Sequence, residues 1–190
     1  MSEIDLIKCW QNGDMDSFRA LYECYSSPAI RTAFLITGRR DIAEDVVQDA
    51  FIQSYNNIKK LRDPEKFRSW FYRILVRLSW QYSSKEKGKV PFEEVSFTME
   101  SESINTAEIL EQYEMKRVLH EAVSKLSTPL KTVVVLYYFN ELTVKEIAGV
   151  LNCFEGTVKS RLHNARKFLE KELRNDDIAK GLYFQQAKGV

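Results

Sequence analysis

At 190 residues the chain is long enough for one well-cored domain or two small ones, and a net charge of +1 argues against a protein that coats nucleic acid by bulk attraction. Gly and Pro number only 7 and 4 while helix formers abound, which favours an all-α fold. Cys9, Cys24 and Cys153 form no CxxC and no set of four with the two histidines, so a structural zinc site is disfavoured, and no apolar run approaches the roughly 18 residues of a membrane span.

A sparse, odd cysteine count suits a reducing compartment, and the opening residues, with Glu3, Asp5, Asp14 and Asp16, do not resemble a signal peptide. The expectation is a soluble, cytoplasmic protein with no membrane insertion. Charge is unevenly distributed. It is +3 through Phe92, −5 over Glu93 to Glu108 where no cation occurs, and +3 over Ile109 to Arg174. Two mildly basic blocks are thus expected on either side of an acidic spacer.

In chain order, Ile4 to Trp10 and Ser17 to Tyr25 predict two opening helices burying Leu6, Ile7, Phe18, Leu21, Tyr22 and Tyr25, punctuated by Pro28. Ala29 to Thr37 continues as a helix ended by Gly38, which tolerates positive φ. Asp41 with Glu44 then forms a capping-box-like start. Val47, Ala50, Phe51, Ser54 and Ile58 make an inward stripe, and Glu44, Asp45, Gln48 and Asp49 an acidic edge near the helix start. Carboxylates there compensate the helix dipole, and they equally fit a partner-binding surface.

The loop Lys60 to Glu65 leads into a helix that interleaves Trp70, Tyr72, Trp80 and Tyr82 with Arg68, Arg73 and Arg77. Aromatic faces beside guanidinium groups are what stacks unpaired bases and neutralises phosphates. Part of this helix must be core, because Phe67, Phe71, Ile74, Leu75 and Leu78 share a stripe. Beyond the basic exit at Lys85 to Lys89, the acidic, Ser-rich stretch around Glu93 to Thr106 has little periodicity and reads as a flexible linker.

Ile109 to Leu126 predicts an amphipathic helix, and Thr128 with Pro129 the start of another. Val133 to Phe139 is apolar nearly all round and is expected at the centre of a second domain. Thr143 and Glu146 then form a capping box, so a helix should begin at Val144 and bury Val144, Ile147, Ala148 and Leu151. Asn152 and Cys153 break it, and a second helix runs from about Phe154 with Val158, Leu162, Ala165 and Leu169 inward. Outward stand Gly156, Lys159, Ser160, His163 and Lys167, flanked by Arg161, Asn164 and Arg166. A face of small, hydrogen-bonding and cationic residues fits the major groove of duplex DNA. A solvated amphipathic hairpin is the competing reading.

The assembled order, with AEDVVQDAF, FRSWFYRI and GTVKSRLHNAR in sequence, closely resembles the bacterial extracytoplasmic-function sigma factors of the sigma-70 family over residues 4 to 173. The resemblance implies two small helical domains: a sigma-two-like module over 1–88, a linker over 89–108, a sigma-four-like helix-turn-helix module over 109–174, and a tail over 175–190. It implies core RNA polymerase as partner, through the clamp helices of the largest subunit and the flap of the beta subunit, with promoter DNA and an anti-sigma factor as further partners. Glu44, Asp45, Gln48 and Asp49 fall in the polymerase-docking helix. Leu61, Arg62 and Asp63 lie in the loop that holds a flipped base, and Trp70, Arg73, Arg77, Trp80 and Gln81 in the helix that captures the melted minus-ten strand. Thr157, Lys159, Ser160, Arg161, His163, Asn164 and Lys167 occupy the minus-thirty-five reading helix.

The sequence departs from that pattern at Arg77, where Asn is usual, at Gln81, where Asp is frequent, at Asn164, where Arg is usual, and at Phe154. The family's minus-ten preference therefore does not carry over. An autonomous helix-turn-helix repressor or activator is the alternative, but it leaves the acidic edge and the Trp- and Arg-rich helix without a role. Neither an enzyme nor a cofactor is expected, because no nucleophile with base, metal cluster or Gly-rich phosphate loop stands out.

Overall fold

The structure, a computed structural model, describes residues 1–85 and 117–175. The predicted linker and nearly all of the tail lie outside them, as does the start of the helix predicted from Ile109. The described residues are all-helical, without strands.

In the first module α1 (Glu3–Gln11) and α2 (Met15–Thr37) pack with α3 (Arg40–Asn57) and α4 (Phe67–Lys85). Short 3₁₀ turns at Ile58–Lys60 and Pro64–Lys66 join α3 to α4. A capping box between Ser2 and Asp5 starts α1, and Asp14 accepts from the Ser17 amide at 3.0 Å to start α2. Gly38 ends α2 with φ 77°, its amide bonded to the Phe34 carbonyl at 2.7 Å.

Three expectations fail here. Tyr22, expected inward on α2, is 44% exposed. Pro28 does not punctuate, because α2 runs through it, and the Thr32 hydroxyl donates to the Pro28 carbonyl at 2.8 Å. Ala29, Thr32, Ala33 and Phe34 are buried on the continuation, so tertiary packing outweighs the one backbone donor that proline lacks. Asp41 and Glu44 form no capping box either: α3 starts after Arg39 without a side-chain cap. Arg39 takes the Asp41 carboxylate, holding it below its ordinary range, and Arg40 pairs with Glu44 at 3.1 Å.

In the second module α5 (described over 117–124) precedes α6 (Thr128–Val134), which widens into a π turn over Val135–Phe139. The cap of α6 is Ser127, one residue before the predicted Thr128, with Pro129 in the first turn. α7 (Val144–Leu151) begins at the Thr143–Glu146 capping box, with the Glu146 carboxylate accepting from the Thr143 amide at 2.8 Å. Asn152 closes it at φ 49°, and α8 (Glu155–Asn175) follows. The predicted inward stripe of α8 is buried at Val158, Leu162 and Ala165.

One apolar cluster runs from the first module into the second, joining Phe67, Phe71 and Leu75 with Val133, Leu136, Leu142, Ile147 and Leu162. The α6 segment is therefore apolar on several sides because it meets both modules, and its end is not core: Tyr138 and Phe139 are half exposed.

Candidate nucleic-acid interface

The α7–α8 hairpin presents the predicted duplex-reading face to solvent. Lys159, Ser160, His163, Asn164 and Lys167 are exposed, and Thr157 and Arg161 are half-buried. Buried Val158, Leu162 and Ala165 fix which side of α8 faces inward, so the cationic side is the one presented. Arg166 adds a brace the sequence did not announce. Its Nε donates to the Tyr138 hydroxyl at 2.8 Å, and its guanidinium lies 5.9 Å and 5.8 Å from the Tyr137 and Tyr138 ring centres. α8 is thereby tied to the end of α6.

On the first module the acidic edge is where the sequence puts it. Glu44, Asp45 and Gln48 are exposed on α3, and Asp49 is half-buried. The edge continues along α3 into exposed Ile52 and Tyr55, which the sequence reading did not select. Tyr82 on α4 donates its hydroxyl to Asp49 Oδ2 at 2.8 Å.

The α4 surface departs further from expectation. Leu61 is 7 % exposed and so contributes its side chain to the core, while its carbonyl accepts from Gln11 Nε2 at 2.6 Å. Arg62 is exposed and Asp63 half-buried at the start of the next turn, where the Asp63 carboxylate accepts from the Glu65 amide at 3.1 Å. Tyr72, read as part of the base-stacking set, is 2 % exposed, and burial pushes its phenol pKa up. Trp70 and Trp80 are half-buried against the common core, and Arg77 and Gln81 are exposed.

Several α4 groups bond to the second module. Arg68 donates to the Asn140 carbonyl, Arg73 to the Gly149 carbonyl at 2.6 Å, and Trp80 Nε1 to Thr132 Oγ1 at 3.0 Å. Asn140 itself is 4 % exposed. Its side-chain amide donates to Thr32 Oγ1 at 2.8 Å and to the Tyr72 hydroxyl at 2.9 Å. Arg68 was read from sequence as part of the base-stacking surface, whereas Asn140 gave no signal, because its partners Tyr72 and Thr32 lie 68 and 108 positions away.

Among the described residues no group of His, Cys, Asp and Glu could hold a metal ion, and no helix is long and apolar enough to cross a membrane. What the arrangement offers is an exposed cationic helix beside a braced turn, an acidic helix face, and an Arg- and Trp-bearing helix partly covered by the second module.

Two family models match the chain: sigma-70 region 2 over residues 21–88 and sigma-70, region 4 over 116–169. The chain is 33% identical over 178 residues to the ECF RNA polymerase sigma factor SigW of Bacillus subtilis, covering 89% of this chain and 95% of that protein. It is 27% identical to the ECF RNA polymerase sigma-E factor of Haemophilus influenzae, over 89% of this chain and 94% of that one. Among solved structures, CnrH in complex with the cytosolic domain of CnrY aligns with a TM-score of 0.70 at 22% identity, covering 92% of this chain and 99% of that one. The sigma factor RpoE of Bartonella quintana, in complex with the anti-sigma factor NepR, aligns with a TM-score of 0.67 at 19% identity over 84% and 98%.

Proposed function

The chain belongs to the ECF sigma factors of the sigma-70 family, subunits that direct RNA polymerase to promoters, and from that membership we propose a division of labour among its helices. The acidic face of α3, with Glu44, Asp45, Gln48 and Asp49, docks on the clamp helices of core polymerase. Arg62, Asp63 and the α4 residues Trp70, Arg73, Arg77, Trp80 and Gln81 capture the melted minus-ten strand, where rings stack on bases and guanidinium groups meet phosphate. Lys159, Ser160, His163 and Asn164 read the minus-thirty-five element as duplex, with Thr157, Arg161 and Lys167 alongside. Leu61 serves that site through its backbone and packing alone. The modules fall at 1–88 and 109–174.

The observation that carries this reading is the α7–α8 hairpin. Its first helix is capped, its second is packed along one stripe, and the opposite face is exposed and cationic. An anti-sigma factor is a further partner we propose, in keeping with the NepR-bound RpoE relative. Absence of catalysis and residence in the cytoplasm belong to the same reading.

Transcription in vitro with purified core polymerase on a library of randomised promoters tests the proposal. Transcripts should appear only with both proteins present and should share two elements at fixed spacing. Tight, selective duplex binding by the chain alone, with no stimulation of transcription, would instead establish an autonomous regulator.

A further inference from the structure

We propose that Asn140 keys an intramolecular latch that closes the second module over α4, so that the free chain masks its own strand-binding helix. The masking rests on the assignment of α4 made above; the latch rests on the seam between the modules.

Asn140 follows the π turn at the end of α6, and its side chain is buried in the seam between the modules, beside the shared apolar cluster. Both hydrogen-bonded partners of its amide belong to the first module, Thr32 on α2 and Tyr72 on α4. Its own carbonyl accepts from Arg68, also on α4. A buried amide whose donors are satisfied only across a seam adds little net stability, since water would satisfy them in the open form, but it penalises every register that leaves them unpaired. The apolar contacts supply adhesion and Asn140 supplies the register.

The seam also takes up hydrogen-bonding groups of α4. Arg73 meets the carbonyl of Gly149 in the last turn of α7, and Arg68 meets the carbonyl that follows the π turn. Carbonyls at helix ends lack intrahelical donors and carry the negative end of the dipole, so they offer a guanidinium what a phosphate oxygen offers. Trp80 completes the set through Thr132. A single strand and the second module therefore compete for the same donors, and strand affinity of the free chain is scaled by the fraction of open molecules.

The test uses the full chain with two variants, Thr32→Val, which keeps shape and removes a partner of Asn140, and Asn140→Ala. Small-angle scattering reads the closure, titration of a fluorescein-labelled DNA single strand of mixed sequence reads the masking, and circular dichroism confirms helicity. Removing one partner should raise strand affinity about fivefold, and removing Asn140 about tenfold or more, each with an increased radius of gyration. An unchanged radius of gyration in folded Thr32→Val protein overturns the latch, and that variant decides the matter if Asn140→Ala fails to fold. Expansion without tighter strand binding would confirm the latch and overturn the assignment of α4.

Discussion

The hydroxyl of Tyr82, near the end of α4, donates to Asp49 Oδ2 on the acidic face of α3 at 2.8 Å, and the carboxylate pushes the phenol pKa upward. A residue of the proposed strand-binding helix thus orients a carboxylate of the proposed polymerase-docking helix. Asp49 is the half-buried member of that face, so its orientation is set by a neighbour where that of Asp45 is set by solvent. Tyr82→Phe removes the bond and keeps the ring. It should weaken binding to core polymerase by about fivefold, the value of roughly one hydrogen bond, with helicity unchanged. Asp45→Arg combined with Asp49→Arg should abolish co-purification with core enzyme altogether. Undiminished co-purification of that double variant would return these carboxylates to compensating the helix dipole.

His120 on α5 stacks on Phe34 of α2, with ring centres 5.8 Å apart and planes 12° from parallel. Burial first, and the Lys131 cation second, hold its pKa below the ordinary 6.5. The unfolded chain therefore binds this proton more readily than the folded one. Above about pH 6.5 both forms are neutral and the contact is undiminished, whereas below it stability is lost until the depressed native value is passed. The carboxylates held low, Asp5, Asp14 and Asp41, respond only at more acid pH. Thermal unfolding followed against pH should show His120→Gln gaining on the parent chain as pH drops below about 6.5. Parallel profiles for the two proteins would show that the ring carries no such linkage.

Local chemistry was legible in the sequence wherever cause and effect lie within a few residues. The Thr143–Glu146 capping box, the left-handed Gly38 and the inward stripes of α3 and α8 are of this kind. The prediction at Pro28 failed because the packing of Ala29, Ala33 and Phe34 against other helices outweighs a local break. The Asp41–Glu44 pattern failed because Arg39 and Arg40 took both carboxylates. Tyr72 looked available to bases from its place among the arginines, and Leu61 was assigned to the base-holding loop by the family resemblance; both side chains turn inward, since an aromatic or leucine beside a core stripe is assigned a side only by its tertiary neighbours. Asn140 carried no signal at all, as its partners sit on helices far away in the chain.

The capping box that starts α7 is a stability device whose loss should be felt in the α7–α8 hairpin. Thr143 Oγ1 accepts from the Glu146 amide at 3.3 Å while the Glu146 carboxylate accepts from the Thr143 amide at 2.8 Å. α7 has only 8 residues, so little else nucleates it. Thr143→Ala should cost about 1 kcal/mol of unfolding free energy, within the usual range for such caps. Denaturant titration of the parent and variant measures it. A difference indistinguishable from zero would mean that burial of Ile147, Ala148 and Val150 alone sets the start of the helix.

Arg77 separates itself from the other cations of α4. Arg68 and Arg73 are bonded to carbonyls of the second module, whereas Arg77 is exposed and has no hydrogen-bond or ion-pair partner among the described residues. A guanidinium can pair bidentately with a guanine edge or with a phosphate but cannot accept a hydrogen bond, unlike the short amide that the family usually places there. With no carboxylate among the described residues paired to it, its fork is available for the strand-binding role proposed for α4. Arg77→Asn should change which promoters of a randomised minus-ten library are opened by holoenzyme, and the minus-thirty-five preference, set on α8, should stay the same. Sequencing transcripts made with the two proteins reads both elements at once. If the minus-ten preferences coincide while total transcription drops, Arg77 meets phosphate only, and the salt dependence of strand binding should then be shallower in the variant.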